Sequence, residues 1–107
     1  MSQKQYQNQT HKDLNTLISM AQTGYFPLFS KEWIDDSLSN QDYYLKINMV
    51  RAKKNILGTL KKLSRHSNFD RKKMALLQLT KKERTVFIQS FFKIIEYKTL
   101  EKIKDLH

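Results

Sequence analysis

Two glycines and one proline are all that this chain of 107 residues offers for tight turns. Sandwiches and barrels turn every few residues, and their turns draw on Gly and Pro for backbone angles that other residues avoid. Three such residues cannot supply an all-β fold and serve a many-stranded α/β fold little better. The length fits one domain, and an apolar share of 39% beside a charged share of 28% describes a modest core under a highly charged surface. We therefore expect an all-α fold: a single small irregular bundle of four to six helices.

Capping signals place the expected helices. Residues 1–9 are polar and Gln-rich, and read as a disordered tail ahead of a single helical domain over 10–107. Thr10 with Asp13 resembles a capping box. Leu14, Leu17, Ile18 and Ala21 follow at helical spacing, and Gly24 stands where a C-terminal cap belongs, which predicts a helix over 10–23. Tyr25-Phe26-Pro27-Leu28-Phe29 is an aromatic connector, because its proline breaks a helix. Ser30 is suited to cap a short helix over 31–38. Ser39 with Asp42 forms a second box, opening a long helix over 40–66. On it, Leu45, Met49, Ala52, Ile56, Leu60 and Leu63 fall within roughly 80° of arc, a narrow seam able to pack within the chain or across a homodimer. Asp70 would cap a helix over 71–79. Thr80 with Glu83 is the best box in the chain and starts a helix over 81–98, with residues 99–106 either extending it or forming a short last helix. Seven of its ten residues from Val86 to Ile95 are apolar, so it belongs at the bundle centre.

Several chemistries are poorly served. Without cysteine there is no disulfide, thiolate zinc site or cysteine nucleophile. That suits a reducing compartment, and the polar N-terminus resembles no signal or transit peptide, so a cytoplasmic location is expected. The longest apolar run, Met74 to Leu77, is far short of the roughly 20 residues that cross a bilayer, so no integral membrane segment is expected. His11, His66 and His107 lie far apart with no metal-ligand spacing. Glu32, Asp35 and Asp36 share a helical turn but lack a calcium loop, and carboxylates early in a helix usually complement its dipole. No nucleophile motif or phosphate-binding glycine loop is present. The expectation is no metal, no cofactor and no enzymatic activity.

Charge carries the functional signal. Residues 1–45 hold three lysines against five acids, whereas residues 46–107 hold 17 basic residues against five acids. No acid occurs in the 27 residues from Tyr43 to Phe69. On a continuous helix, Lys46, Arg51, Lys53, Lys54, Lys61, Lys62 and Arg65 would lie opposite the apolar seam, followed beyond a turn by Arg71, Lys72 and Lys73. Such a strip can lie along phosphates, where released counterions drive binding. Ile47, Val50 and Leu57 interrupt the basic face, and we expect them to form a second packing seam rather than an amphipathic surface toward a membrane or partner helix. The aromatic group Tyr25, Phe26, Phe29 and Trp33 sits beside Glu32, Asp35 and Asp36, which would repel a phosphate chain. It is expected to plug one end of the bundle, with docking of a protein partner as the alternative.

Leu79-Thr80-Lys81-Lys82-Glu83-Arg84 resembles the opening of the DNA-binding domain in LuxR-type bacterial regulators, where Leu-Thr-x-x-Glu begins the first helix. The likeness covers six residues, and only 29 residues run from Leu79 to His107, so no site residue is carried over from it. The leading expectation is a small basic non-enzymatic protein that binds nucleic acid, DNA or RNA, through the Lys/Arg-rich helix face, with regulation as one use of that binding. The alternative is a helical interaction module, such as an adaptor, an inhibitor or an immunity-type protein, binding an acidic protein or an anionic membrane surface.

Overall fold

The computed structural model describes the backbone of residues 3–39, 46–66 and 68–105, and the side chains of these except 3–9 and 102–105. Within them the chain is all-α, with five helices: α1 (Gln3–Gln22), α2 (Lys31–Leu38), α3 (Met49–Leu63), α4 (Phe69–Leu77) and α5 (Lys81–Asp105). None of them is long and apolar enough to cross a membrane.

Several ends form where local chemistry predicts. At the end of α1, Gly24 takes a φ of 88°, the Tyr25 N–H donates to the Met20 carbonyl and the Gly24 N–H to that of Ala21. This is the Schellman arrangement, and the left-handed angle is why glycine stands there. The Ser30 hydroxyl accepts from the Trp33 N–H to open α2. Thr80 opens α5: its Oγ1 accepts from the Glu83 N–H and donates to the Glu83 carboxylate, both at 3.1 Å.

Other ends differ. The helix expected from residue 10 begins at Gln3, so Thr10 is buried inside α1 rather than capping it. Asp13, expected in that box, accepts instead from the Ser64 hydroxyl at 2.8 Å and pairs with Lys72 at 3.5 Å. The helix expected over 40–66 is interrupted at Ile47 and Asn48, which are non-helical, and ends at Leu63; Asn48 caps α3 by accepting from the Arg51 N–H at 2.9 Å. Ser39 is the C-cap of α2, its hydroxyl donating to the Asp36 carbonyl; the helix start expected after it falls on residues outside the described ones. Asp42 and Leu45 lie outside the described residues. Asn68, not Asp70, caps α4, and Asp70 sits in its first turn.

The core is built around α5, which packs on α1, α2 and most extensively α3. Five consecutive residues, Phe87 to Phe91, are buried, and Ile94 joins them. A helix buried on consecutive positions is enclosed on most sides, as its wide apolar arc predicts. Two of those positions are polar and are matched by partners: the Gln89 amide donates to the Ser37 carbonyl at 2.7 Å, and Ser90 accepts from the Asn55 amide at 3.1 Å. The seam of α3 reaches the same core through Ala52, Ile56, Leu60 and Leu63, each at most 2% exposed. It is therefore an intrachain contact, not a dimer surface.

The connector closes one part of this core. Leu28 and Phe29 are buried, Phe29 standing edge-on to Phe87 and Phe91, and Phe26 packs against Phe92 at 5.2 Å between ring centroids. Apolar burial combined with edge-to-face ring pairs makes this cluster structural.

Candidate nucleic-acid interface

The α3 backbone presents Arg51, Lys53, Lys54, Lys61 and Lys62 to solvent, and all five are exposed. At about 100° per residue, Arg51, Lys54, Lys61 and Lys62 fall within roughly 100° of arc facing away from the buried seam, with Lys53 on the flank. Among the described residues none of the five pairs with a carboxylate; the ion pairs there join Lys72 to Asp13 and Lys81 to Asp36. Gly58, also exposed, lowers the profile of the face midway along it. The helix has 15 residues and the strip runs from Arg51 to Lys62, so it spans about 16 Å at 1.5 Å per residue.

The flanking cations divide into two groups. Lys46, Arg65 and Arg71 are exposed. Lys46 precedes the break at Ile47 and Asn48 and Arg65 lies beyond the end of α3, so the expected unbroken strip is broken at both ends. Lys72 is 7% exposed, paired with Asp13 and 5.6 Å from the Phe69 ring centre. Its burial removes it from any contact with an external phosphate. Lys73 is half-buried over Trp33 at 5.9 Å, and Arg84 stacks on the same ring at 4.7 Å. Arg84 also donates to the Leu76 carbonyl at 3.4 Å. Trp33 is thus a joint between α2, α4 and α5. Of the aromatic docking candidates, Phe26, Phe29 and Trp33 are taken up in packing, and Tyr25 is exposed.

The interrupting apolar residues also divide. Ile47 is buried and Leu57 packs against the core, as a second seam requires, but Val50 is 80% exposed among the cations. Helix α4 carries a second departure. It buries Lys72 and Leu76 while exposing Met74 and Leu77, 64% and 55% accessible. Above its outer face opens a cleft of about 430 Å³, lined by His66, Arg71, Met74, Ala75 and Gln78. His66 reaches this position because its N–H donates to the Leu63 carbonyl, turning the chain at the end of α3.

Sequence reasoning misses this cleft, because its residues belong to no motif and meet only when the end of α3 and helix α4 come together. The acidic trio of α2 forms no metal cage: Asp36 pairs with Lys81, and among the described residues no three His, Asp or Glu side chains converge. Comparisons with protein families, with curated proteins and with solved structures find no match for this chain.

Proposed function

We propose that this protein is a non-enzymatic nucleic-acid-binding protein that lays the exposed cations of α3 along a phosphate backbone. The observation behind this reading is the face of Arg51, Lys53, Lys54, Lys61 and Lys62, exposed together on one helix without carboxylate partners among the described residues. Lys46, Arg65 and Arg71 extend it; Lys72 does not, and Lys73 is engaged with Trp33. Cations that lack counter-charges repel one another, and a polyanion relieves that repulsion while releasing its own counterions. Phosphate contacts position a protein and carry no sequence code, so this face on its own binds all sequences alike.

Fluorescence anisotropy of labelled duplex, single-stranded DNA and RNA across a salt series tests the reading. We expect a log–log slope corresponding to about five or more phosphate contacts, at about 0.9 per contact on duplex. Replacing Lys53, Lys54, Lys61 and Lys62 by Gln is expected to weaken binding to every sequence and to reduce that slope by about three to four. No binding at about 50 mM salt, where such contacts are strong, would remove the reading.

Val50 favours a second reading. A branched apolar side chain 80% exposed among lysines suits an anionic membrane surface, which takes cations and apolar groups together. Co-sedimentation with anionic but not neutral liposomes, lost in Val50→Ser, would favour it over nucleic acid.

A further inference from the structure

The cleft over α4 extends the proposed function, and the inference rests on that reading. Its lining combines apolar side chains, Met74 and the half-buried Ala75, with three residues that carry planar polar groups: the His66 imidazole, the Arg71 guanidinium and the Gln78 amide. A nucleobase has the matching construction, an apolar face with a polar edge. Imidazole and guanidinium planes stack on unpaired bases, and an amide reads a base edge through paired donor and acceptor. A volume of about 430 Å³ lies within the range of small-ligand sites.

Two further observations point the same way. Helix α4 is inverted: it buries a lysine and leaves Met74 and Leu77 in water. Met74, which lines the cleft, is thereby an apolar side chain open to a ligand. The cleft also lies close in sequence to the C-terminal cations of α3: Lys61 and Lys62 are in its last turn, Arg65 immediately precedes His66, and Arg71 stands on the next helix. A nucleobase offers an apolar face to Met74 and Ala75 and, on one rigid ring, donors and acceptors to the Gln78 amide and the His66 ring. An acidic peptide can also pair with these polar groups, and a peptide probe separates the two.

We propose that the cleft lined by His66, Arg71, Met74, Ala75 and Gln78 receives one unpaired base of a single strand whose phosphates lie on Lys61, Lys62 and Arg65. The protein would then prefer single-stranded to duplex nucleic acid, because a paired base cannot leave its stack without cost.

The test uses three labelled 12-nucleotide probes: an oligo-dA strand, the same backbone with every base replaced by an abasic unit, and a duplex. They are titrated at one salt concentration against the parent protein and a Met74→Ala, Gln78→Ala double variant. Both replaced residues are exposed, and circular dichroism checks that the variant keeps its helices. We expect the parent to bind the intact strand about fivefold or more tighter than the abasic one, as stacking of one base implies. In the variant that ratio should fall toward one while the abasic affinity stays unchanged. Equal affinity of the parent for intact and abasic strands overturns the base site and leaves the phosphate reading standing. Absence of binding to all three probes removes the phosphate reading and this inference with it. A fourth probe, a labelled peptide of alternating glutamate and leucine blocks, covers a protein partner: if it binds in a way that the double variant abolishes while the intact-to-abasic ratio stays at one, the cleft is a peptide site and the inference fails.

Discussion

Replacing Asp13 by alanine would leave the Lys72 ammonium 7% exposed, with its carboxylate partner gone. Breaking a buried pair from one side costs more than the pair contributes, because the surviving charge remains desolvated. Asp13 also holds the Ser64 hydroxyl, so the substitution loosens α1 from the end of α3 as well. We expect Asp13→Ala to cost about 2–3 kcal/mol in urea unfolding. Lys72→Met should cost less, since methionine keeps the packing on Phe69 and leaves no buried cation. Equal losses in the two variants would show that Lys72 reaches water freely. This residue also illustrates what sequence conceals. Arg71, Lys72 and Lys73 read as one basic run, yet one is exposed, one is buried and one is half-buried against Trp33. Neighbours on a helix point about 100° apart, and only the positions of α1 and α2 decide which of the three meets solvent.

At the scale of the element, caps decide where helices begin. Two of the caps that sequence indicates, Ser30 and Thr80, hold; Asn68 displaces the expected Asp70, and Asn48 is a cap inside the span expected to be one long helix. The apolar periodicity of the expected long helix does not show the break before Asn48, which coincides with Ile47, buried just ahead of the cap. Asn48→Ala is expected to lower stability by about 1 kcal/mol, and Asn48→Gly by only a few tenths, because glycine still allows water to reach the free N–H groups. Gly24→Ala is expected to cost about 1 kcal/mol: space is open around a Cβ there, but the φ of 88° is strained for any L side chain. Urea titrations of the three variants separate these values. A loss at Gly24 no larger than at an ordinary exposed loop position would contradict the Schellman geometry.

Across the whole molecule, the excess of 20 basic over 10 acidic residues sets stability against binding. The exposed lysines of α3 repel one another in the free protein. Their replacement at Lys53, Lys54, Lys61 and Lys62 by Gln should therefore raise Tm at low ionic strength, with the gain shrinking as salt screens the repulsion. Polyphosphate should raise the Tm of the parent and not that of the variant, since a ligand that binds only the folded state stabilises it. Thermal melts at two salt concentrations read both effects. The fold class was legible in the scarcity of Gly and Pro, and the core in the periodicity of α3 and the breadth of α5. The cleft was not, because His66, Arg71 and Gln78 are brought together by a turn whose path depends on Asn68 and on the docking of α4.

The enclosed position of α5 has a consequence for synthesis. Helices α1, α2 and α3 all lean on a segment that follows them in the chain, and the Ser37 carbonyl waits 52 residues for the Gln89 amide. A ribosome adding about 5–20 residues each second takes seconds to deliver the 25 residues of α5. During that interval the apolar stripes of the earlier helices have one another but not their common support. The apolar stripes of α1, α2 and α3 are accordingly fully covered only once α5 has been made and has docked among them.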